Sequence, residues 1–304
     1  MRKPIVAFIA AAASAALLLS GCAAASRPTG TPPTATPPIK TQDWLPAGAI
    51  VHRDLAYGSD PNQKLDVYQP QNAQDAPILL MVHGGGWKRG DKAASGVVNN
   101  KVAHYLPLGY IVVSTNYRLY PDVDPVTEAG DVGSALAYVQ AHAAEWGGSA
   151  TDIVLMGHSA GANLVSLLAA DPTIASDAGA APWRGTVALD SAAFNVVTIM
   201  SGPHLPLYDP IFGTDTQLWR DSSPTLRLSA PPAPMLLVCD SGRANSCSQA
   251  KAFAAEVASK YGKSAGDAIQ VYPVDLRHGE INGELGTPIP LTDRVDAFLN
   301  SVTS

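Results

Sequence analysis

Residues 153–163 read IVLMGHSAGAN. The apolar run at 153–156 predicts a buried strand, and the small residues from 160 onward predict a helix. Between them, GHSAG at 157–161 fits the G-x-S-x-G pattern, in which a strained strand-to-helix turn exposes a serine hydroxyl. Glycines are needed there because side chains would collide with the neighbouring strand and helix. Ser159 is therefore a candidate nucleophile, with an ordinary glycine-rich turn as the alternative.

The rest of the chain alternates between apolar runs and helical stretches. Segments 49–57 and 64–68 alternate in hydropathy, as antiparallel strands do. Later runs are continuously apolar, as in strands buried on both faces: 78–82, 110–115, 153–156, 186–189, 235–238 and 269–274. Helical stretches lie at 130–145, 160–170 and 248–261. The pattern predicts an α/β fold with a mostly parallel sheet and helices on both faces.

A proline-rich segment with weak periodicity interrupts this alternation between Asp190 and Pro234. We expect it to form a short cover over a site rather than a second domain. His204 lies within it and is a candidate for contacting a substrate.

Composition excludes several function classes. The chain has 304 residues, only 15% of them charged, and a net charge of −6. The sequence contains neither a basic face nor a run of like charges, so it gives no indication of a nucleic-acid partner or an interaction tail. We expect one large domain at 47–304 and leave the oligomeric state open.

The first 21 residues have the form of an export signal, with Arg2 and Lys3 before an apolar run that is short for a membrane span. The run ends in Leu-Ser-Gly-Cys22, which resembles the lipobox of bacterial lipoproteins. The resemblance implies cleavage before Cys22, a lipid on its sulfur, and anchoring to the bacterial cell envelope. Residues 22–46 would then be a Pro/Thr-rich linker. An ordinary signal peptide is the alternative.

Export also bears on the two remaining cysteines. In an oxidising compartment we expect Cys239 and Cys247, which flank one short loop, to form a disulfide. Two free thiols are the alternative.

A second glycine motif, HGGGW at 83–87, directly follows the apolar run 78–82. Consecutive glycines expose backbone N–H groups to an approaching substrate. We assign the amides of Gly84 and Gly85, with that of Ala160, to an oxyanion hole. We also expect Trp87 and His158 to line the substrate pocket.

Together, HGGGW, NYRL at 116–119 and GHSAGAN resemble the α/β-hydrolase superfamily. Within it, the pattern is similar to hormone-sensitive-lipase-like and feruloyl-esterase-like carboxylesterases of the BD-FAE type. The resemblance extends from about residue 47 to the C-terminus. It implies an eight-stranded sheet, no metal or other cofactor, and a triad in the chain order Ser, acid, His.

The resemblance identifies His278 as the base, because it follows the last predicted strand in the stretch DLRHGE. The acid is open between two aspartates. The family usually places it a few residues beyond the seventh strand, where this chain has Arg243. Asp240 is the only carboxylate in that loop and is preferred, while Asp190, after the sixth predicted strand, is the alternative. Either would orient the imidazole and stabilise the imidazolium.

These residues predict a serine hydrolase that cleaves small-molecule carboxylic esters through an acyl-enzyme on Ser159. The first alternative is an amide hydrolase of the arylformamidase or peptidase type on the same scaffold. The second is a binding lipoprotein without catalytic activity.

Overall fold

A computed structural model gives the structure of the protein and describes residues 43–303. The predicted signal peptide, Cys22 and the linker up to residue 42 lie outside the described residues.

The centre of the domain is an eight-stranded sheet in the order β1-β2-β4-β3-β5-β6-β7-β8. Strand β2 is antiparallel to β1 and β4, and all other neighbours are parallel. This confirms the predicted mostly parallel sheet. The strands are β1 (Ile50–Ala56), β2 (Lys64–Gln69), β3 (Ala76–Val82), β4 (Ile111–Thr115), β5 (Gly148–His158), β6 (Gly185–Leu189), β7 (Met235–Asp240) and β8 (Ile269–Val274).

Helices cover both faces of the sheet because its central strands are apolar on both sides. In β3, Leu80 belongs to a core with Leu136 and Val165, and its neighbour Leu79 belongs to a second core with Val102 and Phe298. The helices in the described part of the chain are α1 (Ser95–Tyr105), α2 (Pro125–His142), α3 (Ala160–Ala170), α4 (Thr173–Asp177), α5 (Val196–Met200), α6 (Tyr208–Phe212), α7 (Thr216–Asp221), α8 (Ser246–Tyr261), α9 (Lys263–Asp267), α10 (His278–Gly283) and α11 (Pro290–Val302). The 3-10 turns are Ala143–Trp146 and Pro224–Leu226.

Several element boundaries differ by a few residues from the sequence prediction. Strand β5 begins at Gly148 instead of residue 153, because its first residues are polar or partly exposed and carry no apolar signal. Trp44 and Leu45, which precede the predicted domain start at residue 47, pack against the core, with the Trp44 ring 5.9 Å from that of Tyr68.

The irregular segment between β6 and β7 folds as the short helices α5, α6 and α7 and the turn Pro224–Leu226. It has no sheet of its own and packs on the same core as α2 and α3 through residues such as Ile199 and Phe212. Among residues 43–303, no helix is long and apolar enough to cross a membrane.

Candidate active site

The turn after β5 holds Ser159 in a strained conformation. Ser159 has φ 56° and ψ −117°, in the left-handed half of the backbone map that side chains disfavour. A Cβ at Gly157 would lie 2.3 Å from the Gly161 carbonyl oxygen, and one at Gly161 would lie 2.3 Å from that of Val82. Only glycine fits either position. The Ser159 amide donates to the carbonyl of Leu189, which fixes the turn against β6.

Ser159, His278 and Asp190 form a continuous chain of hydrogen bonds at the carboxyl edge of the sheet. The Ser159 hydroxyl lies 2.9 Å from His278 Nε2. His278 Nδ1 lies 2.5 Å from Asp190 Oδ2. Since a carboxylate accepts, Nδ1 donates to Asp190, and Nε2 is left to accept the serine proton.

The carboxylate of Asp190 is completely buried and is surrounded by donors. Its Oδ1 accepts from the Asp240 amide at 2.9 Å and from the Ser246 hydroxyl, and Oδ2 accepts from Arg243 as well as from His278. Burial alone would raise the pKa of Asp190. The hydrogen bonds from His278, Asp240 and Ser246 and the charge of Arg243 outweigh it and lower that pKa below its ordinary value. Asp190 is therefore ionised at neutral pH.

Asp240, the acid preferred from the sequence, lies elsewhere. Its carboxylate accepts from the Gly242 amide at 2.7 Å and caps the turn after β7, and it makes no hydrogen bond to His278 in the described structure. It meets Asp190 only through its backbone amide. The structure thus brings the alternative, Asp190, to the histidine, because β6 ends next to the serine turn. The loop after β7 contributes Arg243 and Ser246 to Asp190.

The glycine loop after β3 packs tightly on the serine turn. A Cβ at Gly84 would lie 2.7 Å from the His158 carbonyl oxygen and 2.8 Å from Ser159 Cβ. Gly85 and Gly86 have φ values of 134° and 63°. No hydrogen bond within residues 43–303 takes the amide of Gly85 or of Ala160 as its donor. These amides are free to bind an oxyanion.

Two aromatic residues, His83 and Tyr117, fix the glycine loop through stacking and hydrogen bonds. The His83 ring stacks on Tyr117 at 4.5 Å and donates through Nδ1 to the Gly84 carbonyl at 2.8 Å, and the Tyr117 hydroxyl donates to the His83 carbonyl. Arg118, from the NYRL stretch, pairs with Asp131 on α2.

A pocket of about 470 Å³ opens over Ser159. The predicted pocket residues Trp87 and His158 line it, together with Gly85 and Ala160 from the predicted oxyanion hole. His204 lines a smaller adjoining pocket of about 220 Å³ and pairs there with Asp209.

His158 packs against His278 and binds its backbone. Its ring lies 4.6 Å from that of His278, and its Nε2 donates to the His278 carbonyl at 2.9 Å. Burial, with a smaller contribution from His278, lowers the pKa of His158 to about 3, so it stays neutral.

Cys239 and Cys247 are joined by a disulfide that closes the loop after β7. This loop carries Arg243 and leads into Ser246, both of which contact Asp190. The sequence predicted no role in the site for Arg243 or Ser246. The only signal was the arginine in the slot where the family usually has its acid. No group of three His, Cys, Asp or Glu residues within 43–303 could hold a metal ion.

Comparisons with known proteins agree with this geometry. Residues 65–198 match the BD-FAE family model, a span that covers the glycine loop, the serine turn and Asp190. One relative is a probable isoprenylcysteine alpha-carbonyl methylesterase, ICMEL1, of Arabidopsis thaliana, with 33% identity over 38% of this chain and 24% of the relative. Another is the carboxylesterase NlhH of Mycobacterium tuberculosis, with 34% identity over 45% of this chain and 42% of the relative. The chain thus spans less than half the length of these relatives.

A solved structure matches far more of the chain. The Thermogutta terrifontis esterase Est2 superposes with a TM-score of 0.64 and 21% identity, over 85% of this chain and 95% of that one. At this identity the match establishes the fold. Sheet order, serine turn and structural match together show that the chain has the α/β-hydrolase fold, and its residues 65–198 are similar to the BD-FAE family.

Proposed function

We propose that the protein is a serine hydrolase of carboxylic esters, with Ser159 as nucleophile, His278 as base and Asp190 as acid. The observation that carries the proposal is the unbroken chain from Ser159 Oγ through His278 to Asp190, with distances of 2.9 Å and 2.5 Å. The esterases among the aligned relatives support an ester as substrate.

The first half-reaction follows from this arrangement. Ser159 Oγ attacks the ester carbonyl carbon while its proton passes to His278 Nε2. The carbonyl oxygen becomes an oxyanion, which the amides of Gly84, Gly85 and Ala160 stabilise. Loss of one such donor typically costs about 3 kcal/mol of transition-state stabilisation. His278 then gives its proton to the leaving alcohol oxygen as the carbon–oxygen bond breaks, and the acyl group stays on Ser159.

The second half-reaction repeats these steps with water. His278 takes a proton from a water molecule, the hydroxide attacks the acyl carbon, and the proton returns to Ser159 Oγ as the carboxylic acid leaves. The ionised Asp190 stabilises the imidazolium in both halves and remains a carboxylate throughout.

Labelling with a fluorophosphonate tests whether Ser159 is a nucleophile. We expect the folded wild-type protein to be labelled and Ser159→Ala to remain unlabelled. Absence of labelling in the wild type would favour the non-catalytic binding protein. Comparing an aryl acetate with its anilide separates ester from amide hydrolysis, and we expect turnover of the ester to be faster.

We also propose that the mature protein is lipid-anchored to the bacterial cell envelope through Cys22. The lipobox-like Leu-Ser-Gly-Cys22 and the Pro/Thr-rich residues that follow support this. Detergent-free fractionation of cells expressing the full chain tests it: wild type should sediment with membranes, and Cys22→Ala should not. If Cys22→Ala sediments equally, the anchor is not on this cysteine.

A further inference from the structure

Arg243 binds Asp190, the proposed acid, through only one nitrogen of its guanidinium. Its Nη1 donates to Asp190 Oδ2 and lies 2.8 Å from His278 Nδ1, so both donors serve the same carboxylate oxygen. Nε and Nη2 have no hydrogen-bond partner within residues 43–303. Three N–H donors are thus left over on a side chain that is 29% exposed.

These donors lie where two cavities meet. Arg243 lines the 470 Å³ pocket over Ser159 and also the adjoining 220 Å³ pocket. Tyr208 on α6 lines both pockets too, and its hydroxyl makes no hydrogen bond in the described part of the chain. At the junction of the two pockets, one edge of the Arg243 guanidinium and the Tyr208 hydroxyl therefore have no hydrogen-bond acceptor among the described residues.

Among the described residues, the charged side chains that line the 470 Å³ pocket are cationic except for Asp190. Asp209, beside the smaller pocket, is paired with His204. Lys88, Arg89 and Arg243 line the main pocket, and Asp190 is the only carboxylate that lines either pocket. Asp190 is already fully engaged by His278, Ser246 and Arg243. Because the whole chain carries a net charge of −6, general basicity does not account for this concentration of cations.

We propose that the natural substrate is an ester that carries a carboxylate, and that Arg243, with Tyr208, binds this carboxylate at the junction of the two pockets. This inference rests on the proposed ester hydrolysis. The ion pair with Asp190 fixes the guanidinium before substrate arrives, so little side-chain freedom is lost on binding. The remaining N–H groups can form charge-assisted hydrogen bonds with the carboxylate.

Two pairs of esters measure this preference. On the alcohol side, 4-acetoxybenzoate is compared with the neutral 4-acetoxybenzamide. On the acyl side, ethyl hydrogen succinate is compared with ethyl succinamate. For wild type we expect kcat/KM of the charged ester to exceed that of its neutral partner by about tenfold in at least one pair. That pair identifies the side of the ester bond that faces Arg243.

Variants separate carboxylate binding from support of Asp190. Arg243→Gln should lower the charged-to-neutral ratio about tenfold, whereas loss of support for Asp190 alone would slow both esters equally and leave the ratio unchanged. Arg243→Lys should retain part of the preference, and Tyr208→Phe should weaken it. Arg220→Gln, an exposed residue on α7 outside both pockets, controls for the change in net charge.

Binding gives the same comparison without turnover, in case Arg243→Gln is too slow to measure. Calorimetry with Ser159→Ala should detect tighter binding of 4-acetoxybenzoate or ethyl hydrogen succinate than of its amide, and Ser159→Ala/Arg243→Gln should lose this difference. A wild-type ratio of one or less in both pairs, or a ratio and a binding difference unchanged by Arg243→Gln, would overturn the inference. Failure to hydrolyse any of the four esters would instead count against the proposed ester hydrolysis.

Discussion

Three residues of the site share an unfavourable backbone conformation. Trp87, Ser159 and Asp190 have φ values of 59°, 56° and 53°, and each follows a parallel strand of the sheet, β3, β5 and β6. Non-glycine residues held at positive φ carry strain on the order of 1–3 kcal/mol each, and such strain concentrates at functional sites. The strain at Ser159 could be predicted, because the flanking glycines are typical of a strained strand-to-helix turn. The strain at Asp190 could not, because Leu-Asp-Ser-Ala carries no turn signal.

Replacing Gly157 with Ala tests the need for glycine at the serine turn. The new Cβ would meet the Gly161 carbonyl at 2.3 Å, so the turn must shift and Ser159 must move from His278. We expect kcat on an activated aryl ester to fall at least about tenfold, because small displacements of a reacting group have large effects on rate.

Gly130→Ala is the matched control, since a Cβ there meets nothing within 4 Å and the residue lies inside α2. It should leave kcat unchanged and stabilise the fold by up to about 1 kcal/mol. Equal activity of the two variants would show that the turn tolerates a side chain.

At the scale of elements, His278, the proposed base, is positioned by a helix that the sequence did not reveal. The sequence pattern predicts no helix after β8, but His278 begins α10. The other end of α10 is held by α1: Asn100 donates to the Gly283 carbonyl, and the buried Lys101 ammonium donates to the Asn282 carbonyl at 2.6 Å. Six residues at 278–283 are too few for a periodic apolar pattern. A contact between residues more than 180 positions apart is also invisible in a single sequence.

Lys101 should make stability depend on pH. Burial lowers its pKa to about 7, from an ordinary value of 10.5. Between these values the unfolded chain binds a proton that the folded chain does not, so this group makes stability rise as pH increases from 7 to about 10. Lys101→Met removes that rise. Relative to wild type, the variant should become progressively less stable as pH is raised over this range.

Urea unfolding of both proteins at pH 7 and pH 9.5 measures the effect. If the difference in unfolding free energy between wild type and Lys101→Met is the same at both values, Lys101 does not titrate near neutrality.

For the molecule as a whole, the alternation of apolar runs and helical stretches was enough to predict a mostly parallel sheet. The GHSAG pattern supplied Ser159, and the resemblance supplied the eight strands and His278. The sequence favoured Asp240, whereas in the structure Asp190 contacts His278, because distance along the chain is a poor guide at this edge. Asp190 precedes His278 by 88 residues and yet contacts it, while Asp240 precedes it by 38 and does not. Which aspartate reaches His278 depends on the course of the loop after β7. This loop places Arg243 and Ser246 against Asp190, a long-range contact that the sequence does not show.

A buried carboxyl in α2 should limit the stability of the whole domain at alkaline pH. Glu128 is fully buried, and burial raises its pKa to about 9 from an ordinary 4.5. Between these values the folded chain holds a proton that the unfolded chain has lost, so stability falls as pH rises. Glu128→Gln removes this dependence. The variant should therefore have a higher Tm than wild type at pH 8, by several degrees, and nearly the same Tm at pH 4.5.

Glu256→Gln, at an exposed position on α8, is the control and should change Tm little at either pH. A Tm gain for Glu128→Gln that is equal at pH 4.5 and pH 8 would contradict the assigned titration.

Two aspartate variants, compared in one assay, test whether Asp190 is the triad acid. Asp190→Asn should lower kcat on an activated aryl ester by about 10⁴-fold, because the amide no longer stabilises the imidazolium or fixes its tautomer. Asp240→Asn should keep kcat within a fewfold of wild type, since its amide oxygen can still accept from Gly242. If Asp240→Asn loses activity and Asp190→Asn keeps it, the triad described here is wrong.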